Sequence, residues 1–382
     1  MANDLLVYNS RRLVLVRFLR AATGAPKADA PDIDDRGYAD PTRGAIVGMT
    51  KGRTIKVKLT RVRIAEAASL FVESSDKGVV KVTDPADGKV PSAKTATIVL
   101  EGVKGGEPAK AKIQVRYGTD ASGPLIHELT VYVFTPIKVP VTPHVATIAQ
   151  AGSQSVTPVR SNADVEAMFK IVKAAWLPCG IEFEVGKVVE PKAPFQFRQA
   201  GVVWMDAEKG KESTDKYPHA EFKTVIQTDH VAGTLNAWFI PRFGSASASF
   251  GAGGIGMSRL KKDEYKLPAT GVFSADMDPT GTTLDADARA HILAHEIGHC
   301  LTLWHTGKAE QSADKKENLW AHRSLMFNSI FKPGNDVGYG KSGTATRAGQ
   351  LIAMKDLWKD LANEVTAECS KARKEASEGG YG

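Results

Sequence analysis

Cysteine is scarce in this chain: only Cys179, Cys300 and Cys369 occur in 382 residues. An odd and sparse set of cysteines argues against a disulfide framework. The sequence contains no Cys-x-x-Cys pair and no cluster of cysteines. A structural zinc ion held by thiolates is therefore not expected.

Long hydrophobic runs are also missing. No segment approaches the ~18 continuous apolar residues of a membrane-spanning helix, so no membrane span is expected. The apolar run at 13–19 is interrupted by Arg17 and flanked by Arg12 and Arg20, which excludes the apolar core of a secretory signal peptide. The sequence predicts synthesis in the cytoplasm without a classical signal peptide. Export or injection by a non-classical route is the alternative.

Charge is unevenly distributed along the chain. Residues 1–150 hold 22 Lys and Arg against 15 Asp and Glu, which accounts for the whole net charge of +7. A basic surface on this part would favour an anionic partner, such as a cell-wall polymer, a membrane surface or a secretion machine. The alternative is an ordinary solvated basic face. No nucleic acid is expected as a partner.

Short runs rich in Val, Ile, Thr and Tyr dominate residues 46–142, and turn residues separate them. This spacing predicts an all-β sandwich after an N-terminal arm at 1–45. The stretch 74–90, followed by 95–100, resembles a bacterial Ig-like domain. His127 lies on the last strand and is interpreted as a surface or satisfied residue. The predicted strands are 54–64, 69–73, 79–82, 95–100, 110–116 and 125–134.

Prolines at 136, 140 and 143 indicate a linker, and the pattern changes after it. Apolar residues at helical spacing over 164–175 predict a helix, with Asn162 or Asp164 as its cap. A second domain is therefore predicted at 143–382. Its other predicted elements are strands at 181–185, 222–227, 235–240, 255–258 and 271–274, a helix at 285–302 and a C-terminal helix at 346–376.

One motif carries metal chemistry: His295-Glu296-x-x-His299, followed by His305. On a helix, His295 and His299 are four residues apart and share one face, where both imidazoles can bind one zinc ion. Glu296 follows the first ligand and can act as a general base towards a water on the metal. The alternative is a packed helix whose histidines are only surface or capping residues.

His305 can bind the same ion only if the chain turns back. On a continuous helix it would lie about 15 Å along the axis from His295, whereas ligand nitrogens on one zinc ion are at most about 4 Å apart. The helix is therefore expected to end near residue 302. The pattern resembles the metzincin zinc metallopeptidases, His-Glu-x-x-His-x-x-Gly-x-x-His, whose Gly supplies a left-handed turn. Thr302 stands at that position, and a β-branched residue disfavours positive φ.

A second segment, Ser-Leu-Met-Phe-Asn at 324–328, resembles the metzincin Met-turn, with Met326 as the turn methionine. Some relatives place a Tyr ligand two residues after that Met. Asn328 stands there, so no fifth protein ligand is expected. The resemblance implies an α+β metzincin-like domain after the Ig-like sandwich. It also implies that substrate lies along an edge strand formed by Ile255, Gly256, Met257 and Ser258.

Other residues are weaker candidates for the site. His322 is an alternative third ligand, and Glu310 or Glu317 could take that place as in gluzincins. Cys300 lies about 100° around the helix from His299 and is expected to be buried. The glycines at 251, 253, 254 and 256 do not precede a helix in a βαβ unit, so a phosphate-binding loop is not expected.

These residues predict a zinc-dependent endopeptidase in which Glu296 activates a zinc-bound water, acting on a protein or peptide as a toxin or effector. A first alternative is a hydrolase of peptidoglycan peptides, with the basic β-domain holding an anionic wall polymer. A second alternative is a non-enzymatic β-sandwich adhesin or structural protein with a structural zinc ion.

Overall fold

The structure is a computed structural model of the chain. It describes residues 15–21, 27–31, 33–37, 44–152, 155–158, 161–190, 192–204, 220–244, 253–259, 262–263, 267, 269–277, 281, 283–303 and 361–381. Within these ranges strands predominate, and no helix is long and apolar enough to cross a membrane.

Ten strands make up the first part of the chain. Apolar and polar residues alternate within several of these strands, which places every second side chain in the core. These strands are β1 Val16–Arg20, β2 Asp34–Gly37, β3 Gly44–Thr50, β4 Thr54–Arg61, β5 Leu70–Ser74, β6 Val80–Asp84, β7 Lys89–Val90, β8 Thr95–Gly102, β9 Ala109–Tyr117 and β10 Leu125–Phe134.

These strands form two sheets that enclose an apolar core. One sheet has the order β1-β4-β8-β6, and the other has the order β2-β3-β10-β9-β5-β7. Val57, Ile98 and Val131 are fully buried between them. The six strands predicted in this part are confirmed. His127 is stacked on Phe18 of β1 with ring centroids 5.6 Å apart, so it is a packed residue.

The second part of the chain alternates strands and helices. Its elements are β11 Ile137–Val145, β12 Ile148–Ala149, α1 Asn162–Trp176, β13 Ile181–Val185, β14 Phe195–Gln196, β15 Val203–Trp204, α2 Ala220–Gln227, β16 Leu235–Gly244, β17 Gly254–Met257, β18 Gly271–Met277, α3 Ala286–Cys300 and α4 Leu361–Glu378.

The main sheet of this part has the order β13-β11-β16-β18-β17. Its strands are parallel except β17, which runs antiparallel to β18 at the edge. Helices α1 and α3 pack on one face, and α2 packs on the other. The edge strand predicted at 255–258 is thereby confirmed at 254–257.

The predicted fold class, an Ig-like sandwich followed by a metzincin-like domain, is wrong. The molecule is a mostly β structure of several mixed sheets with a few helices, and the separate domains are not distinct. Ile46, Tyr132 and Phe134 on the outer face of the β3–β10 sheet belong to the same core as α1 and α3. In addition, Arg373 of α4 donates hydrogen bonds to Glu107 in the β-rich part. One apolar core therefore spans the predicted boundary at 142/143.

The predicted proline linker is also wrong, because Pro140 and Pro143 lie within β11. This strand pairs with β13 only over 137–141 and with β16 only over 141–145. Successive residues of a strand direct their backbone nitrogens to opposite sides. The nitrogen of each proline therefore lies on the side where β11 has no paired strand at that residue. The strand therefore tolerates both prolines at its centre.

Two local predictions need correction for identifiable reasons. The segment predicted as a strand at 222–227 is helix α2, because Phe222, Val225 and Ile226 follow helical rather than alternating spacing. Ser161 caps the N-terminus of helix α1. Its side chain accepts a hydrogen bond from the backbone N–H of Asp164 at 3.2 Å, and the Asp164 carboxylate accepts one from the backbone N–H of Ser161. The cap is therefore Ser161, and not Asn162 or Asp164 as predicted, although Asp164 takes part in the capping box.

Candidate metal centre

Helix α3 positions the three residues of the His-Glu-x-x-His motif. Asp285 caps its N-terminus by accepting from the backbone N–H of Ala288 at 2.7 Å. The helix then packs against α1, where the indole N–H of Trp176 donates to the carbonyl of Ala294 at 3.2 Å. Because Ala294 directly precedes His295, this contact fixes the helix at the point where the motif begins.

His295, Glu296 and His299 lie close together on this helix. Their nitrogen and carboxylate ligand atoms all lie within 4.8 Å of one another. The two imidazole rings are 4.8 Å apart between centroids and almost perpendicular, at 89°. His295 is 3% exposed and Glu296 is 8% exposed. The three side chains could therefore hold one metal ion.

Helix α3 ends in a left-handed turn. Thr302 has φ of 63°, in the left-handed region that a β-branched residue rarely occupies. The backbone N–H of Leu303 donates to the carbonyl of Gly298 at 2.9 Å, and that of Thr302 donates to the carbonyl of His299 at 3.0 Å. This pair of bonds is the Schellman motif, in which the left-handed residue is usually Gly. The predicted helix end near 302 is confirmed, with Thr302 in the strained conformation.

The same turn orients His299. Its Nδ1 lies 2.8 Å from the carbonyl oxygen of Leu303. Because a carbonyl only accepts, Nδ1 carries the proton and donates, which leaves the lone pair of Nε2 for a metal ion. The left-handed turn at Thr302 therefore also sets the tautomer and direction of the His299 ring.

The edge strand β17 approaches α3 unusually closely through its glycines. A Cβ atom added at Gly256 would lie 2.0 Å from the carbonyl oxygen of Glu296, and one at Gly254 would lie 2.7 Å from Cγ of Glu296. The backbone N–H of Gly256 donates to the Glu296 carboxylate. Ile255 and Met257 point to the opposite face, where they are buried. The sequence showed a Gly-Gly-x-Gly run but gave no sign of this contact.

Burial dominates the electrostatics of the site. It raises the pKa of Glu296 to about 8, against a smaller lowering by the Gly256 hydrogen bond. A divalent cation beside the carboxylate would lower that pKa again. Burial also raises the pKa of Cys300, whose thiol donates to the carbonyl of Gly271 at 3.0 Å. Cys300 is therefore a buried structural residue, as predicted.

The remaining predicted site residues lie outside the described part of the chain. These residues are His305, Met326 and Asn328, together with the alternative ligands Glu310, Glu317 and His322.

The donor set that the structure describes fits zinc. Neutral imidazole nitrogen is a preferred zinc ligand, and the second ring nitrogen of His299 is held by a carbonyl as in known zinc sites. His295 and His299 would hold the ion, and Glu296 is placed to act on a water beside it. Two imidazoles leave positions for a third protein ligand and for water.

Comparison with known proteins gives little guidance for this chain. No protein-family model and no curated protein matches it. Among solved structures, a 2,6-sialyltransferase from Vibrionaceae Photobacterium sp. JT-ISH-224, in a ternary complex with CMP and lactose, is similar at 9% identity. The match covers 86% of this chain and 59% of that structure, with a TM-score of 0.21.

Proposed function

We propose that this protein is a zinc-dependent hydrolase that cleaves peptide bonds. The observation that carries the proposal is the grouping of His295, Glu296 and His299 within 4.8 Å on one buried helix beside a sheet edge. The two imidazole rings are 4.8 Å apart and almost perpendicular, and the bond between His299 Nδ1 and the Leu303 carbonyl orients the His299 ring.

The chemistry follows from the roles of the three side chains. Zinc bound there would supply a Lewis acid that acidifies a water molecule and polarises a carbonyl. His295 and His299 would hold the ion, since their ligand nitrogens lie within 4.8 Å of each other. A carboxylate oxygen of Glu296 takes the proton of the attacking water and later gives it to the nitrogen of the leaving amine. The low exposure of His295 and Glu296 limits competing water.

Substrate binding is assigned to the outer edge of β17. An edge strand has backbone groups that can pair with an extended peptide. The Gly256 N–H, which donates to Glu296, lies on this strand. An entering substrate would therefore meet the edge strand and the general base at the same place, which suits an endopeptidase acting on an extended segment.

The test separates the base from the ligands. Glu296→Gln keeps the size of the side chain but cannot accept the proton, so we expect the variant to retain zinc and to lose about 10²–10⁴-fold in peptidase rate. His299→Ala should lose the zinc ion as well. Zinc content by mass spectrometry and cleavage rates on unfolded protein and on purified cell-wall peptides provide the measurements.

Each outcome of this test has a distinct meaning. Cleavage of the cell-wall peptides alone would replace the protein substrate with a peptidoglycan one. A zinc-loaded wild-type chain inactive on both substrates would favour a structural zinc site. An active Glu296→Gln variant would disprove the assigned mechanism.

A further inference from the structure

The end of α4 contacts the segment that follows the edge strand β17. Arg259 lies two residues after β17, and its Nη2 donates to Oε2 of Glu375 on α4 at 3.4 Å. The carboxylate of Glu378, also on α4, lies 4.0 Å from the same nitrogen. Arg259 and Glu375 are 116 residues apart in sequence, so the contact is a tertiary one. It joins the C-terminal helix to the end of the edge strand.

Glu375 is a buried acid, which makes its partner important. Its side chain is 7% exposed, whereas that of Arg259 is 54% exposed. The chain end folds over the carboxylate, since a Cβ atom added at Gly380 would lie 2.0 Å from Oε1 of Glu375. That oxygen has no hydrogen-bond partner among the described residues. A carboxylate removed from water needs a counter-charge, and within the described ranges Arg259 supplies it.

The segment around Glu375 is itself fixed relative to helix α3. Its apolar side chains belong to the same buried core as the turn after α3, which orients the ring of His299. The residues that the segment and the turn contribute to this core are Leu301, Leu303, Ala372, Ala376 and Tyr381. The C-terminal segment can therefore act as an anchor for β17.

Strand β17 needs such an anchor because it is an edge strand. Within the described part of the chain it pairs with β18 alone. Before its start, the carbonyl of Gly253 accepts from the N–H of Ala275 at 2.8 Å. Beyond its end, Arg259 makes the ion pair with α4. Gly256 lies between these two points, and its N–H donates to the Glu296 carboxylate. A shift of the end of β17 would therefore move the donor that holds Glu296.

We propose that Arg259 and Glu375 are positioning residues that hold β17, and with it the Gly256 N–H, against Glu296. The inference rests on the proposed function, in which Glu296 is the general base and β17 receives the substrate. Both residues act through Gly256 and not on the substrate itself. Displacement of the C-terminal end would misplace the base and leave the metal ligands in position, and small misplacements of reacting groups cost much of an enzyme's rate.

Hydrogen exchange at the Gly256 amide measures this positioning directly. Arg259→Gln changes a side chain that is half exposed, so the variant should fold. It leaves the buried Glu375 carboxylate without its partner, which is more costly than the loss of an exposed ion pair. We expect Gly256 to exchange about tenfold faster, with the amides of α1 unchanged. Arg259→Lys keeps the charge and should retain most of the protection.

Lys138 and Glu184 provide a matched control at the opposite edge of the same sheet. Their ion pair is 2.7 Å long, and both side chains are more than half exposed, at 67% and 54%. Lys138→Gln should therefore leave exchange at Gly256 unchanged. A variant carrying both Arg259→Gln and Glu375→Gln should exchange no faster than Arg259→Gln alone, because both substitutions remove the same interaction.

Activity then separates positioning from a purely structural role. Arg259→Gln should lower the peptidase rate about tenfold, mainly through kcat, with zinc content unchanged. Unchanged exchange at Gly256, or faster exchange that extends to α1, would overturn the proposal. Faster exchange with an unchanged kcat in an active enzyme would overturn it as well. An inactive wild-type chain would refute the peptidase function, whereas faster exchange confined to β17 would still show that Arg259 holds the strand against Glu296.

Discussion

At the scale of single residues, the turn after α3 shows how much the sequence could predict. The spacing of His295, His299 and His305 required the helix to end near 302, and it does. Metzincins have Gly at the position of Thr302, so backbone strain was predicted at this turn. The φ of 63° shows that Thr302 itself adopts the left-handed conformation. The bond from His299 to the Leu303 carbonyl could not be predicted, because it depends on the path of the turn.

Thr302→Gly should stabilise the protein. A left-handed conformation costs an L-residue roughly 1–2 kcal/mol, and Gly avoids most of that cost. We expect the free energy of unfolding to rise by about 1 kcal/mol, with zinc content unchanged. As a control, Thr224→Gly in the exposed face of α2 should lower it, since Gly is unfavourable within helices. Urea denaturation followed by circular dichroism measures both. A loss of stability in Thr302→Gly would contradict the assignment of strain.

His127 should make stability depend on pH. Burial lowers its pKa from 6.5 to about 4. Between these values the unfolded chain binds a proton that the folded chain excludes, so the free energy of unfolding falls as pH falls from about 6.5 to 4. One pKa unit corresponds to about 1.4 kcal/mol, so this group contributes at most about 3 kcal/mol. His127→Gln should flatten that part of the profile, measured by urea unfolding at a series of pH values. An unchanged slope would exclude His127 as its source.

At the scale of elements, strand β17 and helix α3 form one unit. A strand at 255–258 and a helix at 285–302 were both predicted from the sequence, and both are confirmed. It could not predict their distance, which depends on tertiary packing of backbone against backbone. Helix α2 illustrates the same limit, because a short apolar run such as 222–227 is compatible with either a strand or a helix when it is taken from the sequence alone.

Gly256→Ala should disrupt the unit of β17 and α3. Its Cβ would lie 2.0 Å from the Glu296 carbonyl oxygen, a backbone atom that cannot move without moving the helix. We expect a loss of about 1–3 kcal/mol in stability, as for overpacked cores, and a larger loss of peptidase activity than of zinc. Gly78→Ala meets only the side chain of Asp76, at 3.1 Å, and serves as the matched control. Equal stability of the two variants would show that β17 is free to shift.

At the scale of the whole molecule, the strands were easier to predict than their assembly. Alternation and turn residues located the strands of the β-rich part, since those signals are local. The shared core could not be predicted, because the residue pattern of β10 is that of any half-buried strand. In the structure, Tyr132 and Phe134 on its outward face pack against the helices. The prolines of β11 predicted a linker where the strand is continuous, because a strand tolerates proline only according to how far its neighbours β13 and β16 extend.

Arg373 provides a test of this shared core. It is 1% exposed, and its guanidinium donates to the Glu107 carboxylate and to the carbonyls of Cys179 and Gly180. Arg373 therefore joins α4 both to the β-rich part and to the backbone at 179–180, between α1 and β13. Hydrogen bonds from a charged group contribute about 1.5–3 kcal/mol, so Arg373→Met should lower the free energy of unfolding by about 2–3 kcal/mol.

The form of the unfolding transition decides whether the core is shared. If Arg373 joins the two parts, Arg373→Met should lower the urea midpoints of the β-rich region and the helical region by the same amount. Hydrogen exchange at Val57 reports on the β-rich region, and exchange at Ala294 reports on the helical region. Lys374→Met, at an exposed neighbour on α4, should leave both regions unchanged. Glu107→Gln should give a smaller loss than Arg373→Met, because the two carbonyls remain bound. Separate midpoints for the two regions in the wild-type chain would mean that the predicted boundary at 142/143 divides it into independent units after all.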